Sequence, residues 1–219
     1  MKNIVIYGLG DFAKLMHYYF SSDSLYEVVA FCADKQYIIE KTFCNLPVVD
    51  FDDLDKTYFP NDYMVFVAVG YSNMRARIKM YNKVKSKKYL CPNYINSSAE
   101  ISENVNIGEN NAFFMNVVVE PFSEIGNNNI IWSSSTICHD VTITDHSFIA
   151  AQSIIGGFSH VGRNCFIGFN ATILQNLILA DETLVAAKSL IKENTDECAK
   201  YIGDPAKKIG THRNDGIVL

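Results

Sequence analysis

The chain contains no apolar run approaching the roughly 20 residues that cross a bilayer, so membrane insertion is not expected. Its opening residues, MKNIVIYGLG, do not form a secretory leader, because the apolar stretch is short and stops in a glycine-rich turn. A cytoplasmic protein is the expectation. The six cysteines (Cys32, Cys44, Cys91, Cys138, Cys165 and Cys198) show no CxxC spacing. That excludes the usual zinc pattern and predicts free thiols rather than a disulfide framework. At a net charge of −5 there is no basic cluster beyond Lys83 to Lys88. That patch reads as the solvated end of a helix, and nucleic acid is not an expected partner. With 219 residues, 48% hydrophobic and 20% charged, the chain has room for one large or two small soluble domains.

What the sequence does have is a period of six. From Ile95 to Ile191 every sixth residue is bulky and apolar, through Ile101, Ile107, Phe113, Val119 and Ile125 onward, seventeen positions without a slip. Four places after most of these anchors stands a small or narrow residue, such as Ser123, Ser135, Ser147, Ser153 or Ala171. A period of six is neither helical nor simple strand alternation, so it signals a repeat architecture. No hexad can bury its own apolar face, so coils must stack. This pattern is the hexapeptide signature of a parallel β-helix. Three hexads per coil would stack residues eighteen apart, about 4.8 Å from coil to coil. The small residue is expected at the corner, where the chain turns.

Before the hexads, residues 3–8 read as a buried parallel strand and Asp11 to Ser21 as a helix. Glu27 to Cys32 and Met64 to Val69 read as further strands, with a helix from Ser72 to about Lys87. Such alternation predicts a small α/β domain, a Rossmann-like half, over residues 1–92. The β-helix follows over 93–194, and a Gly- and Pro-containing tail over 195–219 would close and cap the final coil.

Three pieces carry chemistry. Gly8-Leu9-Gly10-Asp11-Phe12-Ala13 has two glycines of a dinucleotide fingerprint, and Asp34 follows the second strand. It reads equally as a phosphate cradle or as a tight strand-to-helix turn. The half-sized domain suits a nucleotide-sugar better than a full dinucleotide. His139-Asp140 is the second piece. His139 stands two places after an anchor and should point outward, either as a general base oriented by a carboxylate or as an ordinary surface histidine. The register sets His160 on the face of His139 and His146 on the next face. The three histidines lack the separations of a metal site, and His146 and His160 read as solvated corners. The third piece is Gly156-Gly157, with Gly168 in a later coil. It offers either amide donors to an oxyanion or a corner that needs positive φ.

The whole chain resembles the sugar acetyltransferases of the PglD/NeuD type within the left-handed β-helix acyltransferase superfamily. The resemblance rests on IVIYGLGDFAKL, FCADK, the hexads, HDVTITD, GRNCFIGFNATIL and IGDPAKKIG. It implies an acetyl-CoA-dependent N-acetyltransferase of glycan or O-antigen biosynthesis, a homotrimer without a metal, acting on a nucleotide-linked amino-deoxysugar. It places His139 as base, Asp140 as its partner and Gly157 as donor to the acetyl carbonyl. Gly157, Gly168, Phe169, Ala187, Lys188 and Pro205 take the coenzyme positions. Gly8, Gly10, Asp11, Asp34, Lys35 and Gly70 take the nucleotide-sugar positions. Two departures stand out. Phe148 replaces a second histidine, leaving His146 or His160 as substitutes, and Phe12 stands where the glycine-rich loop often has histidine. O-acetylation of a sugar such as sialic acid and a non-catalytic β-helix scaffold are the competing readings. Ice binding wants regular threonine ladders, and the outward positions here are mixed.

Overall fold

The computed structural model describes residues 2–219, which divide into two compact units. One comprises residues 2–70 and 76–94, the other 71–75 and 95–219. Among the described residues no helix is long and apolar enough to cross a membrane.

The first unit contains β1 (Lys2–Tyr7), α1 (Asp11–Ser22), β2 (Tyr26–Ala33), β3 (Thr42–Phe43), β4 (Leu46–Asp50), α2 (Leu54–Thr57), β5 (Met64–Val67) and most of α3 (Met74–Ser86). The sheet order is β3-β4-β2-β1-β5. Strands β4, β2, β1 and β5 are parallel, and β3 adds an antiparallel edge. Ile4, Val5, Ile6 and Tyr7 are all buried, which explains their unbroken apolar reading in a strand covered on both faces. The sequence reading found three of these strands and missed the β3–β4 hairpin. Its two-residue turn, Cys44-Asn45, has φ of 49° and 64°, the geometry that normally selects Asn-Gly or Asp-Gly. Without a glycine it lacks the Asn-Gly signal, and Asn45 alone marks the turn only weakly.

The second unit is the expected left-handed parallel β-helix. Two-residue strands recur every six residues, and each pairs in register with strands eighteen residues away, as Thr136–Ile137 does with Val118–Val119 and Ile154–Ile155. Three sheets result. The first runs through Ile101, Val119, Ile137, Ile155, Ile173 and Ile191, the second through Ile107 to Leu179, and the third through Phe113 to Val185. The anchors from Phe113 onward are essentially inaccessible and form one continuous column of core.

One detail of the corner differs from expectation. The residue four after each anchor points into the lumen, and the turn itself falls one place earlier. There the chain takes left-handed φ, between 55° and 67°, at every corner from Asn110 to Lys188. Asn and Asp tolerate this region best, and Asn holds six of these corners. The small inward residues do more than fill space. Ser147 Oγ donates to Gly162 O at 3.2 Å and accepts from Cys165 N at 3.0 Å. Asn129 Nδ2 donates to Thr144 O at 2.8 Å, while its Oδ1 accepts from Ser147 N at 2.7 Å. Each such side chain satisfies backbone groups of the next coil that the short strands leave over.

The tail is a hairpin rather than an irregular loop. Ala199–Gly203 pairs in parallel with Leu184–Val185 and antiparallel with Ala206–Thr211, extending the third sheet. The last residues then hold segment 71–75: Met74 N donates to Ile217 O at 3.1 Å, and Arg75 makes a two-pronged bond to Glu182 at 3.0 and 2.8 Å. All six cysteines are free. Replacing Asn129 by Ala should orphan a buried N–H and a buried carbonyl at about 1–3 kcal/mol each. Thermal denaturation should show a clear fall in Tm, and an unchanged Tm would show that these ladder bonds add nothing to stability.

Candidate active site

In the first unit the expected ligand residues gather at the carboxyl ends of the parallel strands. Gly8 ends β1 with φ of 139°, and a Cβ there would lie 2.6 Å from Ala68 O. No side chain fits, so this glycine serves the close approach of β1 and β5. Gly10 precedes α1 and has open space around its Cα; Asp11 opens the helix. Gly70 follows β5, 3.9 Å from Phe12 Cβ if it carried one. Between β1 and β5 the strand order reverses, and such a switch point leaves a crevice at the helix N-terminus suited to phosphates.

Asp34 lies at the end of β2, and Lys35 begins a short turn beyond it. Asp34 Oδ1 accepts from Tyr7 Oη and from Lys83 Nζ, both at 2.5 Å. Burial pushes its carboxyl upward, but the bonds from Lys83 and Tyr7 outweigh this and hold it below the usual value. Burial also raises the Tyr7 phenol well above its ordinary value, with Asp34 adding to it. The Lys83 to Lys88 patch does lie at the end of α3, half-exposed, and there three of its lysines find partners. Lys83 pairs with Asp34, Lys85 donates to Tyr89 O, and Lys87 pairs with Asp55. Proximity in space, absent from the sequence, ties this patch to its own domain.

In the second unit, His139 and Asp140 form the turn after strand Thr136–Ile137, and both side chains reach solvent, at 50% and 37% exposure. His139 Nδ1 lies 2.9 Å from Asp140 Oδ2. With the ring neutral, Nδ1–H donates to the carboxylate and Nε2 keeps a free lone pair. Asp140 suits the position twice over, since it also tolerates the φ of 58° that the corner imposes. Glu120 Oε2 accepts from the His139 backbone N–H at 2.8 Å and holds the turn from the preceding coil. Sequence reasoning missed Glu120 because the two are nineteen residues apart and meet only through coil stacking.

Gly157 lies in the next coil against the imidazole. A Cβ there would stand 3.1 Å from His139 Cε1 and Nε2 and 3.2 Å from His139 O. Neither Gly156 nor Gly157 has positive φ; the turn is carried by Phe158, at 61°. The glycine is therefore explained by the space it leaves beside Nε2. The Gly157 N–H lies near the Cys138 thiol, which burial chiefly, and the charge of Glu120 next, push up. A thiol is a weak acceptor, so this N–H remains available to a stronger one.

The other coenzyme candidates form a second group. Gly168 packs against the Ala187 N–H, and Lys188 N donates to Phe169 O at 2.8 Å. They occupy the corner between the third and first sheets, whereas His139 and Gly157 occupy the corner between the first and second. The outer face of the first sheet lies between the two groups. Pro205 joins neither group; with Lys192, Tyr201, Lys207 and Lys208 it lines a cavity of about 490 Å³ at the end of the prism.

The remaining histidines do not fit their expected places. His160 lies within a strand of the second sheet, stacked on Thr142 and Ile178, so it does not share the turn of His139. His146 is a buried corner rather than a solvated one, with Nδ1 2.9 Å from Asn128 Nδ2 in a ladder of stacked polar side chains. Phe148 is stacked on Phe166 (5.1 Å, 6°) and packed against Tyr71 at 4.7 Å. This outer aromatic column explains the residue found there. Among the described residues no group of three His, Cys, Asp or Glu side chains is placed to hold a metal ion.

A comparison with curated protein sequences gives no match. Solved structures give several. The acetyltransferase domain of PglB from Neisseria gonorrhoeae superposes with a TM-score of 0.85 at 21% identity, over 95% of this chain and 100% of that one. A variant of GDP-perosamine N-acetyltransferase from Caulobacter crescentus, in complex with CoA and GDP-perosamine, gives 0.84 at 24% identity, over 96% and 98%. WeeI from Acinetobacter baumannii gives 0.78 at 21% identity, over 95% and 100%. At these identities the likeness establishes the shared fold. Residues 3–84 match the family described as the PglD N-terminal domain, and residues 90–202 match the one described as the GMPPB C-terminal domain. The second match spans more than half of the 219 residues, so the chain belongs to the GMPPB C-terminal domain family, here preceded by a PglD N-terminal domain.

Proposed function

We propose that the protein transfers acetyl from acetyl-CoA to the amino group of a nucleotide-linked amino-deoxysugar, with a dTDP- or UDP-4-amino-4,6-dideoxyhexose as first choice. The observation that carries this reading is the His139–Asp140 pair with the free side of the imidazole turned to the space left by Gly157. The likeness to an N-acetyltransferase bound to CoA and GDP-perosamine supports it and adds GDP to the nucleotides worth testing.

In this mechanism His139 Nε2 takes the proton of the amine as its nitrogen bonds to the thioester carbon. Asp140 keeps the imidazole oriented and stabilises it once protonated. The Gly157 N–H donates to the carbonyl oxygen as it gains charge. Collapse breaks the carbon–sulfur bond and releases the CoA thiolate, which takes up a proton. The amine is a competent nucleophile once deprotonated, so no covalent enzyme intermediate is needed. Coenzyme would lie along the first sheet between the His139 corner and the Phe169–Ala187 corner. Near the tail, Lys192 and Lys207 would face its phosphates, while Lys208 is paired with Asp196. The crevice at Gly8, Gly10 and Gly70 would hold the nucleotide diphosphate, with Asp34 and Lys35 beside it.

A homotrimer belongs to the same proposal. The outward residues of the first sheet, Glu100, Val118, Thr136, Ile154, Thr172 and Leu190, are half apolar, and Ile154 is 44% exposed. A second prism packed beside that face would enclose the coenzyme between the two. A reaction that consumes acetyl-CoA fits a cytoplasmic location.

Turnover with acetyl-CoA and a panel of dTDP-, UDP- and GDP-linked amino sugars tests the reading, and light scattering tests the trimer. His139→Ala should lower kcat by about 10²–10⁴-fold while calorimetry shows CoA still bound. An unchanged rate would remove His139 from the mechanism, and absence of CoA binding by the unaltered chain would favour a scaffold. Gly157→Ala should displace the imidazole and lower kcat about tenfold or more with little change in Tm, since the open side of the ring can yield. Full activity in this variant would show that the space beside Nε2 is not used.

A further inference from the structure

The left-handed corners stack into three columns along the prism. The column between the second and third sheets reads Asn110, Asn128, His146, Asn164 and Glu182, and that between the third and first reads Asn116, Ser134, Gln152, Asn170 and Lys188. Every one of these is polar. The column between the first and second sheets reads Phe122, Asp140, Phe158 and Asn176. Backbone bonds confirm the stacking, since Asp140 N donates to Pro121 O, Phe158 N to His139 O and Asn176 N to Gly157 O. So the two phenylalanines stand directly below and above Asp140, one coil away on each side.

Neither is explained by local structure. A bulky side chain at positive φ is a backbone outlier, and Asn would hold the corner at lower cost. The φ values are 66° at Phe122 and 61° at Phe158. Neither is explained by burial within the chain, where they remain 63% and 58% exposed. Strain kept beside a reactive group is a reason to look for a function. Phe158 also meets the His139 ring edge-on, with centroids 5.0 Å apart at 86°. The ring of Phe158 therefore forms part of the immediate surroundings of that imidazole.

We infer that Phe122 and Phe158 form an apolar clamp about the His139–Asp140 pair that selects a methyl-bearing, 6-deoxy acceptor over its 6-hydroxy counterpart. This rests on the proposed transfer to an amino sugar. In a 4-amino hexose the carbon that carries position 6 adjoins the carbon that carries the amine. A base placed at that amine therefore brings position 6 to the surrounding side chains. A methyl group against a phenyl ring gains from leaving water. A hydroxymethyl group in the same place loses its hydrogen bonds to water and finds no partner on a phenyl face. The clamp acts on specificity, and proton transfer remains with His139.

The test compares dTDP-4-amino-4,6-dideoxyglucose with dTDP-4-amino-4-deoxyglucose, and the corresponding UDP pair, with acetyl-CoA at saturation. The unaltered chain should favour the 6-deoxy acceptor by about tenfold or more in kcat/KM, the range expected for one small group in an apolar pocket. Phe122→Asn and Phe158→Asn install the residue that neighbouring corners already use, so the fold is preserved, and in each the ratio should fall toward one. Phe158→Leu should keep most of the preference. An unchanged ratio in both Asn variants overturns the clamp. An equal fall for both acceptors overturns it as well, because that pattern belongs to a general positioning role. A change of assembly state by light scattering would assign the two rings to a subunit contact instead. If the unaltered chain turns over neither acceptor pair, the clamp falls together with the proposed substrate class; turnover without selectivity sinks the clamp alone.

Discussion

Coil-to-coil hydrogen bonding at a fixed eighteen-residue offset is the constraint on which the rest of this protein depends. Strands of two residues are far too short to stand alone, so stability comes from stacking. Each coil offers its backbone groups to the next, and the lumen receives one large anchor and one small residue per side. Inward Ser and Asn side chains take the backbone groups that the strands leave over, as at Ser147 and Asn129. Every corner from Asn110 to Lys188 turns through left-handed φ, and this favours Asn and Asp there.

The candidate site uses that constraint rather than escaping from it. Asp140 satisfies the corner and orients His139 with one side chain. Glu120 and Gly157 reach His139 from the coils on either side, one by fixing its backbone and the other by having no side chain. The spacing between these groups is set by the strand-to-strand distance, so rigid elements position them without a dedicated loop. The two phenylalanines above and below Asp140 depart from the rule that the other two corner columns keep, and that departure is what sets this corner apart chemically. The first unit solves a different problem by ordinary means, with glycines at a strand-order switch point beside a helix N-terminus.

Much of this was legible in the amino-acid order. The hexads announced the β-helix because a large residue every sixth place can serve only a stacked repeat, and His139 read as outward because it lies two places past Ile137. The β3–β4 hairpin was not legible, because Cys44-Asn45 adopts its turn without glycine. The corner was misplaced by one residue, since the small side chain visible in the pattern fills the lumen while the turn residue has no constant size. The Lys83–Asp34 pair was not legible, because the two residues are 49 apart.

By itself, then, the sequence determined the periodic architecture, the direction of the anchors and the identity of the His-Asp pair, all of which depend on neighbours within one hexad. Tertiary structure alone decided what stands over and under that pair. Glu120, Gly157, Phe122 and Phe158 reach it only when coils close at eighteen residues, and a hydrogen bond between coils leaves no mark in the local pattern of either. The same reason separates His160 from His139 and buries His146: position along a turn is written in the chain, whereas the company a side chain keeps is set by the coil above and the coil below.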